Sequence, residues 1–101
     1  MRFQTHVIDP EGAEMAALRA TGTLDGARVL EIGCGDGRLT LRYAATASSV
    51  LAIDPHGEAI AKARTVVPAG LTERVRFEVG SALDLAQPTA SFDVALLSHS
   101  L

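Results

Sequence analysis

The chain has 101 residues, 48% of them apolar and 21% charged, a balance typical of a globular domain rather than a disordered segment. Nine basic and twelve acidic side chains give a formal net charge of −3 without a run of Lys or Arg, which argues against a broad nucleic-acid or membrane-surface footprint. A single cysteine excludes an internal disulfide framework. Because long apolar runs and a signal-peptide pattern are absent, we expect a cytoplasmic protein.

The first predicted element is a helix that begins at Asp9 and Pro10 and ends near Gly22. The aspartate accepts from backbone N–H groups of the first turn, and proline at the first helical position lacks a donor that would stay unsatisfied. Residues 21–27 contain two glycines and an aspartate and are predicted to be a connector. We therefore treat residues 1–27 as an N-terminal helix and connector.

Strands and helices alternate in the rest of the chain. Strands are predicted at 28–32, 50–53, 75–79 and 92–97, and helices at 38–47 and 58–67. The strand at 50–53 is apolar without alternation, as expected for a strand covered on both faces, whereas the strand at 75–79 alternates with period two. This order predicts parallel βαβ units with right-handed crossovers, and therefore an α/β fold.

The most informative segment is VLEIGCGDGRLTL at 29–41, which places three glycines between a predicted strand and a predicted helix. Glycine is needed where the chain turns sharply and where a ligand approaches bare backbone. Asp54 ends the next strand, seventeen residues beyond Gly37, where a carboxylate can accept hydrogen bonds from both hydroxyls of a ribose. The turn and the acid together predict a site for an adenosine-containing cofactor.

The position of the third glycine bears on which cofactor binds. The dinucleotide fingerprint is G-x-G-x-x-G, whereas here the third glycine, Gly37, comes one residue early and Arg38 occupies the last position. This register disfavours NAD without excluding it. A fragment of an NAD-dependent oxidoreductase therefore stays an alternative.

The segment from Glu31 to Gly37 resembles motif I of class I S-adenosylmethionine-dependent methyltransferases, an acidic residue followed by G-x-G-x-G and a helix. LAIDP at 51–55 is similar to the segment that carries the family's second acidic position. Residues 75–82 resemble its third strand and the following loop, and residues 91–94 resemble the start of its fourth strand. The resemblance implies a Rossmann-like parallel sheet with flanking helices, truncated after the fourth strand. Residues 1–101 would then form a single, partial domain whose cofactor is S-adenosylmethionine.

The resemblance also implies a role for individual residues at the methionine end of the cofactor. Glu31 would meet the amino group, directly or through water, and Ser98 would face this end from the tip of the fourth strand. The turn residues would pack against the methionine part, namely Gly33, Cys34, Gly35 and Gly37. Cys34 itself is expected to be a small residue that fits a tight turn, not a nucleophile.

At the adenosine end, the resemblance implies that Asp54 holds the ribose hydroxyls and that Pro55 and His56 lie near the adenine. Ala82 would donate its backbone amide to an adenine ring nitrogen. Ser81 stands where the family often has an aspartate that accepts from the adenine amino group. Because a serine hydroxyl is uncharged and a weaker acceptor, this departure predicts reduced affinity or another group at that contact.

The implied reaction is methyl transfer from a sulfonium, in which placing the reactants in line supplies much of the catalysis, so no catalytic residue is named. The family's N-P-P-[YF] type motif, linked to methylation of base or amide nitrogens, is absent, and the sequence at 97–100 is LSHS. This favours a small-molecule acceptor rather than a nucleic acid.

A metal site is not expected, because the histidines lack ligand spacing. The alternative is a truncated or partnered cofactor-binding module without turnover.

The predicted strand at 92–97 carries one further expectation. The resemblance implies a seven-stranded sheet of which this chain supplies four strands, so the fourth would be an exposed edge. Such an edge would promote self-association or bind a partner chain. Asp93, at the start of this strand and away from the ligand-binding end, is expected to be structural.

Overall fold

The computed structural model of the protein describes residues 4–8, 13–81 and 92–98. The strands are β1 (Gln4–Ile8), β2 (Arg28–Ile32), β3 (Ser49–Asp54), β4 (Val75–Val79) and β5 (Val94–Ser98). The helices are α1 (Ala13–Ala20), α2 (Arg38–Tyr43) and α3 (Gly57–Thr65), and a 3-10 turn covers Ala69–Leu71. In this part of the chain, none of the helices has the length and apolar character needed to cross a membrane.

All five strands form one sheet in the order β1-β5-β2-β3-β4, and every neighbouring pair is parallel. The α/β prediction, with a Rossmann-like parallel sheet and flanking helices, is confirmed. The middle strands β2, β3 and β5 bury apolar side chains such as Val29, Ala52 and Leu96, as expected for strands covered on both faces. Tyr43 of α2 and Ile60 of α3 are fully buried in the same core.

The strands at 28–32 and 75–79 have the predicted bounds, whereas α2 ends at Tyr43 rather than at residue 47. After Tyr43 the chain leaves the helix, and the N–H of Ser48 donates to the carbonyl of Ala27 at 2.8 Å. The N–H of Gly26 donates to the carbonyl of Thr46, also at 2.8 Å. These bonds tie the segment to the start of β2, and they override the helix propensity of the alanines there.

Strand β1 was not predicted, and it overturns the expectation of an exposed edge at the fourth predicted strand. It pairs with β5 along its whole length, from Gln4 opposite Val94 to Ile8 opposite Ser98. β5 therefore lies between β1 and β2, and the predicted route to self-association through it is wrong. The physical reason is that β1, rich in β-branched residues, satisfies the backbone groups that an edge strand would expose. Residues 1–27 thus contain a strand as well as the helix and connector.

Strand β4 is the opposite edge of the sheet, and charged side chains protect it. The guanidinium of Arg64 donates to the carbonyl oxygen of Phe77 at 3.0 Å and 2.7 Å, and it pairs with Glu78 at 3.1 Å. Arg76 pairs with the same carboxylate at 3.3 Å. Charges placed along an edge strand in this way discourage pairing with another chain.

Candidate functional site

The glycine turn between β2 and α2 forms the centre of the candidate site. Gly33, Gly35 and Gly37 have φ angles of 84°, 57° and 83°, a left-handed region that residues with a Cβ rarely adopt. The N–H groups of Gly33 and Cys34 both donate to the carbonyl of Ile53, at 2.8 Å and 3.1 Å. The turn is therefore fixed against the end of β3, the strand that carries the predicted ribose acceptor.

Gly37 has a second reason to be glycine. A Cβ at this position would lie 2.8 Å from the ring of Phe77 and 3.2 Å from the Cβ of Ala63. The missing side chain thus allows the start of α2 to approach β4 and α3. The space beside the Gly37 Cα is filled by the protein core, while its contact with a cofactor stays a prediction.

Asp54 lies at the carboxyl end of β3, and its side chain is 3% exposed. Its Oδ2 accepts from the backbone N–H of Gly35 at 2.9 Å. Its Oδ1 accepts from the backbone N–H of His56 at 2.9 Å and lies 2.8 Å from His56 Nδ1. Burial acts to raise the pKa of Asp54, but the N–H groups of His56 and Gly35 and the His56 ring hold it below its usual value. The carboxylate is therefore ionised at neutral pH.

Glu31 lies in β2 one residue before its end and is fully buried. Its Oε1 accepts from the hydroxyl of Thr40 and from the hydroxyl of Tyr43, each at 2.7 Å. Burial, and then the Glu31 carboxylate, raise the pKa of Tyr43 well above its usual value, so the phenol keeps its proton and donates. This buried cluster joins β2 to α2, the strand and the helix that the glycine turn connects.

Cys34 is a buried residue of the turn. Burial, followed by the nearby carboxylates of Glu31 and Asp54, raises the pKa of its thiol to about 12. A thiol with that pKa stays protonated at neutral pH and is a poor nucleophile. The buried position of Cys34 agrees with its interpretation as a small residue that fits a tight turn.

At the opposite end of β2, Arg28 and Asp93 form a structural pair. The guanidinium of Arg28 donates to both carboxylate oxygens of Asp93, at 2.9 Å and 3.2 Å, and its backbone N–H donates to Oδ2 at 2.9 Å. The backbone N–H of Asp93 donates in return to the carbonyl of Arg28 at 2.8 Å. These contacts join β2 to the start of β5, so the structural interpretation of Asp93 is confirmed.

The remaining predicted site residues follow the ends of β3, β4 and β5. Pro55 and His56 are exposed in the link from β3 to α3. The loop after β4 is held beside them, because the N–H of Gly80 donates to the carbonyl of Asp54 at 3.0 Å, and Ser81 follows. Ala82 lies outside the described residues. Ser98 ends β5, and its side chain also lies outside the described part.

The structure thus brings together the glycine turn, Asp54 with its two following residues, and the start of the loop after β4. They lie at the carboxyl ends of adjacent parallel strands, where open α/β sheets bind ligands. Sequence reasoning missed that the ring of His56 shares an oxygen of Asp54. The available signal was the spacing, because an aspartate side chain often accepts from the N–H two residues later.

The profile of a family described as a methyltransferase domain matches residues 29–101. Magnesium-protoporphyrin O-methyltransferase of Rhodobacter capsulatus is 34% identical over 84 residues, which cover 82% of this chain and 36% of that protein. The 27-O-demethylrifamycin SV methyltransferase of Amycolatopsis mediterranei is 38% identical over 92 residues, covering 88% of this chain and 32% of that protein.

Among solved structures, an S-adenosylmethionine-dependent methyltransferase from Mesorhizobium loti superposes with a TM-score of 0.72 and 32% sequence identity. The match covers 89% of this chain and 41% of that one. The chain spans about a third of the length of the two curated relatives.

Proposed function

The chain belongs to the methyltransferase-domain family, and on that premise we propose that it binds S-adenosylmethionine for methyl transfer to a small-molecule acceptor. The observation that carries this proposal is the hydrogen bond of 2.9 Å from the Gly35 N–H to Asp54 Oδ2. This bond holds bare turn backbone beside an ionised carboxylate that is able to accept from hydroxyl groups. Both features are what an adenosine-containing ligand requires.

The residues present fit this cofactor. The positive φ angles of Gly33, Gly35 and Gly37 allow the sharp turn that brings bare backbone to Asp54, and the lowered pKa of Asp54 keeps its carboxylate ionised to accept from hydroxyl groups. S-adenosylmethionine supplies a methyl group on a positively charged sulfur, which is already activated for displacement. The chain therefore has to bind and orient the reactants, and correct positioning alone can lower the reaction barrier by a large amount.

We assign the roles as follows. Asp54 accepts from the ribose hydroxyls, and the residues beside it lie near the adenine. Glu31 meets the amino group of the methionine part, directly or through water, while its Oε1 is held by the hydroxyls of Thr40 and Tyr43. The turn residues face the methionine part, namely Gly33, Cys34, Gly35 and Gly37. The contacts of Ser81, Ala82 and Ser98 with the cofactor rest on the family resemblance.

The small-molecule acceptor is supported by the names of the two curated relatives, which describe a magnesium-protoporphyrin and a 27-O-demethylrifamycin. The formal net charge of −3 further supports an acceptor other than nucleic acid. The cytoplasmic location stays a prediction from the sequence.

Calorimetric titration of the chain with S-adenosylhomocysteine and, separately, with NAD tests the cofactor assignment. S-adenosylhomocysteine is expected to bind more tightly, because the third glycine is out of register for the dinucleotide fingerprint. Tighter binding of NAD would favour the oxidoreductase alternative and reject the proposal. Binding of neither ligand would also reject it.

A further inference from the structure

The side chain of His56 lies on the carboxylate to which the proposed function assigns the ribose. Its Nδ1 is 2.8 Å from Asp54 Oδ1. The Asp54 side chain is 3% exposed, whereas that of His56 is 78% exposed. The imidazole therefore sits at the solvent side of a buried acceptor, and little around it opposes its rotation into solvent.

The direction of this hydrogen bond follows from the charge of Asp54. An ionised carboxylate only accepts, so the hydrogen of the contact resides on His56 Nδ1. Asp54 then accepts from three donors, which are the backbone N–H groups of Gly35 and His56 and the ring Nδ1–H. The two backbone donors are set by the glycine turn and by the start of α3.

A carboxylate offers about four acceptor positions for hydrogen bonds. The two hydroxyls of a ribose would bring the donors around Asp54 to five if all three present donors stayed. One donor must leave, and the His56 ring is the one that can do so by side-chain rotation without moving the backbone. The two backbone N–H groups and the two ribose hydroxyls then occupy the four acceptor positions of the carboxylate.

We propose that the His56 ring is a displaceable cover on Asp54, a positioning residue that occupies Oδ1 until a ribose hydroxyl takes its place. The inference rests on the proposed function, since it concerns how that site admits an adenosine ligand. The contact stabilises the acceptor in the absence of ligand and competes with binding. Removing the ring donor while keeping the backbone N–H of residue 56 therefore strengthens binding of the ligand.

Calorimetry with S-adenosylhomocysteine tests this on the wild-type chain and on His56→Phe, which keeps an aromatic ring and removes Nδ1. We expect His56→Phe to bind roughly two- to tenfold more tightly, the range that corresponds to one competing hydrogen bond. Glu58→Ala, which truncates another exposed side chain at the start of α3, is the control and is expected to leave the dissociation constant unchanged.

Nitrogen resonances of the histidine rings give an independent readout that does not depend on activity. The His56 ring signal, assigned from His56→Phe, is expected to report a hydrogen-bonded Nδ1–H in the absence of ligand. It is expected to shift on addition of S-adenosylhomocysteine, and in Asp54→Ala without ligand. If the wild-type chain binds but His56→Phe binds equally or more weakly, the proposal for His56 is wrong while the proposed function stands. The same holds if the wild-type chain binds and the ring signal does not move. A wild-type chain that does not bind overturns the proposed function and the cover with it.

Discussion

The backbone N–H of Gly35 donates to Asp54 Oδ2 at 2.9 Å, joining two residues that are nineteen positions apart in the chain. Gly35 belongs to the turn after β2, and Asp54 ends the neighbouring strand β3. The proposed ribose acceptor is therefore also the side chain that holds the turn in place. A change at Asp54 alters both the acceptor and the shape of the turn that lies against the ligand.

Replacement of Asp54 by alanine is expected to weaken binding of S-adenosylhomocysteine at least about tenfold. Hydrogen bonds to a charged group contribute about 1.5–3 kcal/mol each, and the variant loses the acceptor for two hydroxyls. Calorimetric titration measures the change. Asp36→Ala is the matched control, because it removes a carboxylate of the same turn that pairs with the exposed Arg38. An unchanged dissociation constant for Asp54→Ala would remove Asp54 from the site.

Gly37→Ala is expected to lower the free energy of unfolding by at least about 2 kcal/mol, since a left-handed backbone and an overfilled core each penalise a Cβ. That Cβ would meet the Phe77 ring at 2.8 Å. Gly26→Ala is the control, because Gly26 also has a positive φ of 69° but has nothing within 4 Å of the Cβ position. Urea unfolding should show the larger loss for Gly37→Ala. Equal losses would mean that the contact with Phe77 is relieved at no cost.

Four of the five described strands and the glycine turn could be predicted because their signals are local. Residues 28–32 and 75–79 have the bounds that their apolar patterns predict. Strand β1 could not be placed in this way, because its partner Val94–Ser98 lies about ninety residues away in the chain. The residues of β1, QTHVI, carry a weaker strand pattern than those two segments, so its conformation depends on the pairing with β5. The same limit applies to the end of α2, where backbone bonds to the start of β2 override an alanine-rich segment.

In the site, the residue types were predictable and the directions of their side chains were not. The sequence places Glu31 two residues before the first glycine of the turn, but it does not show that its Oε1 accepts from the hydroxyls of Thr40 and Tyr43 in α2. Nothing in the spacing predicts these two donors. The contact of His56 with Asp54 depends in the same way on a side-chain rotation that the pattern does not encode.

Tyr43→Phe is expected to destabilise the fold by about 1–3 kcal/mol, because the buried Oε1 of Glu31 loses one of its two hydroxyl donors. Thr72→Val is the control, since it removes an exposed hydroxyl that donates to the carbonyl of Ala69 within the 3-10 turn region. Chemical denaturation followed by circular dichroism compares the two. If Tyr43→Phe unfolds at the same denaturant concentration as the wild type, the cluster does not anchor α2 to β2.

The pair of Arg28 and Asp93 predicts how stability depends on pH. Hydrogen bonds from the Arg28 side chain and backbone lower the pKa of Asp93 from 3.8 to about 2. Because this carboxyl is harder to protonate in the folded chain, its contribution is fully present above pH 3.8 and is lost as the pH falls toward 2. Asp93→Asn is therefore expected to melt below the wild type at pH 7, with the difference closing between pH 4 and 2. Thermal melts across that pH range measure the difference in melting temperature between the two proteins. If that difference stays constant down to pH 2, the ionised carboxylate is not what stabilises this contact.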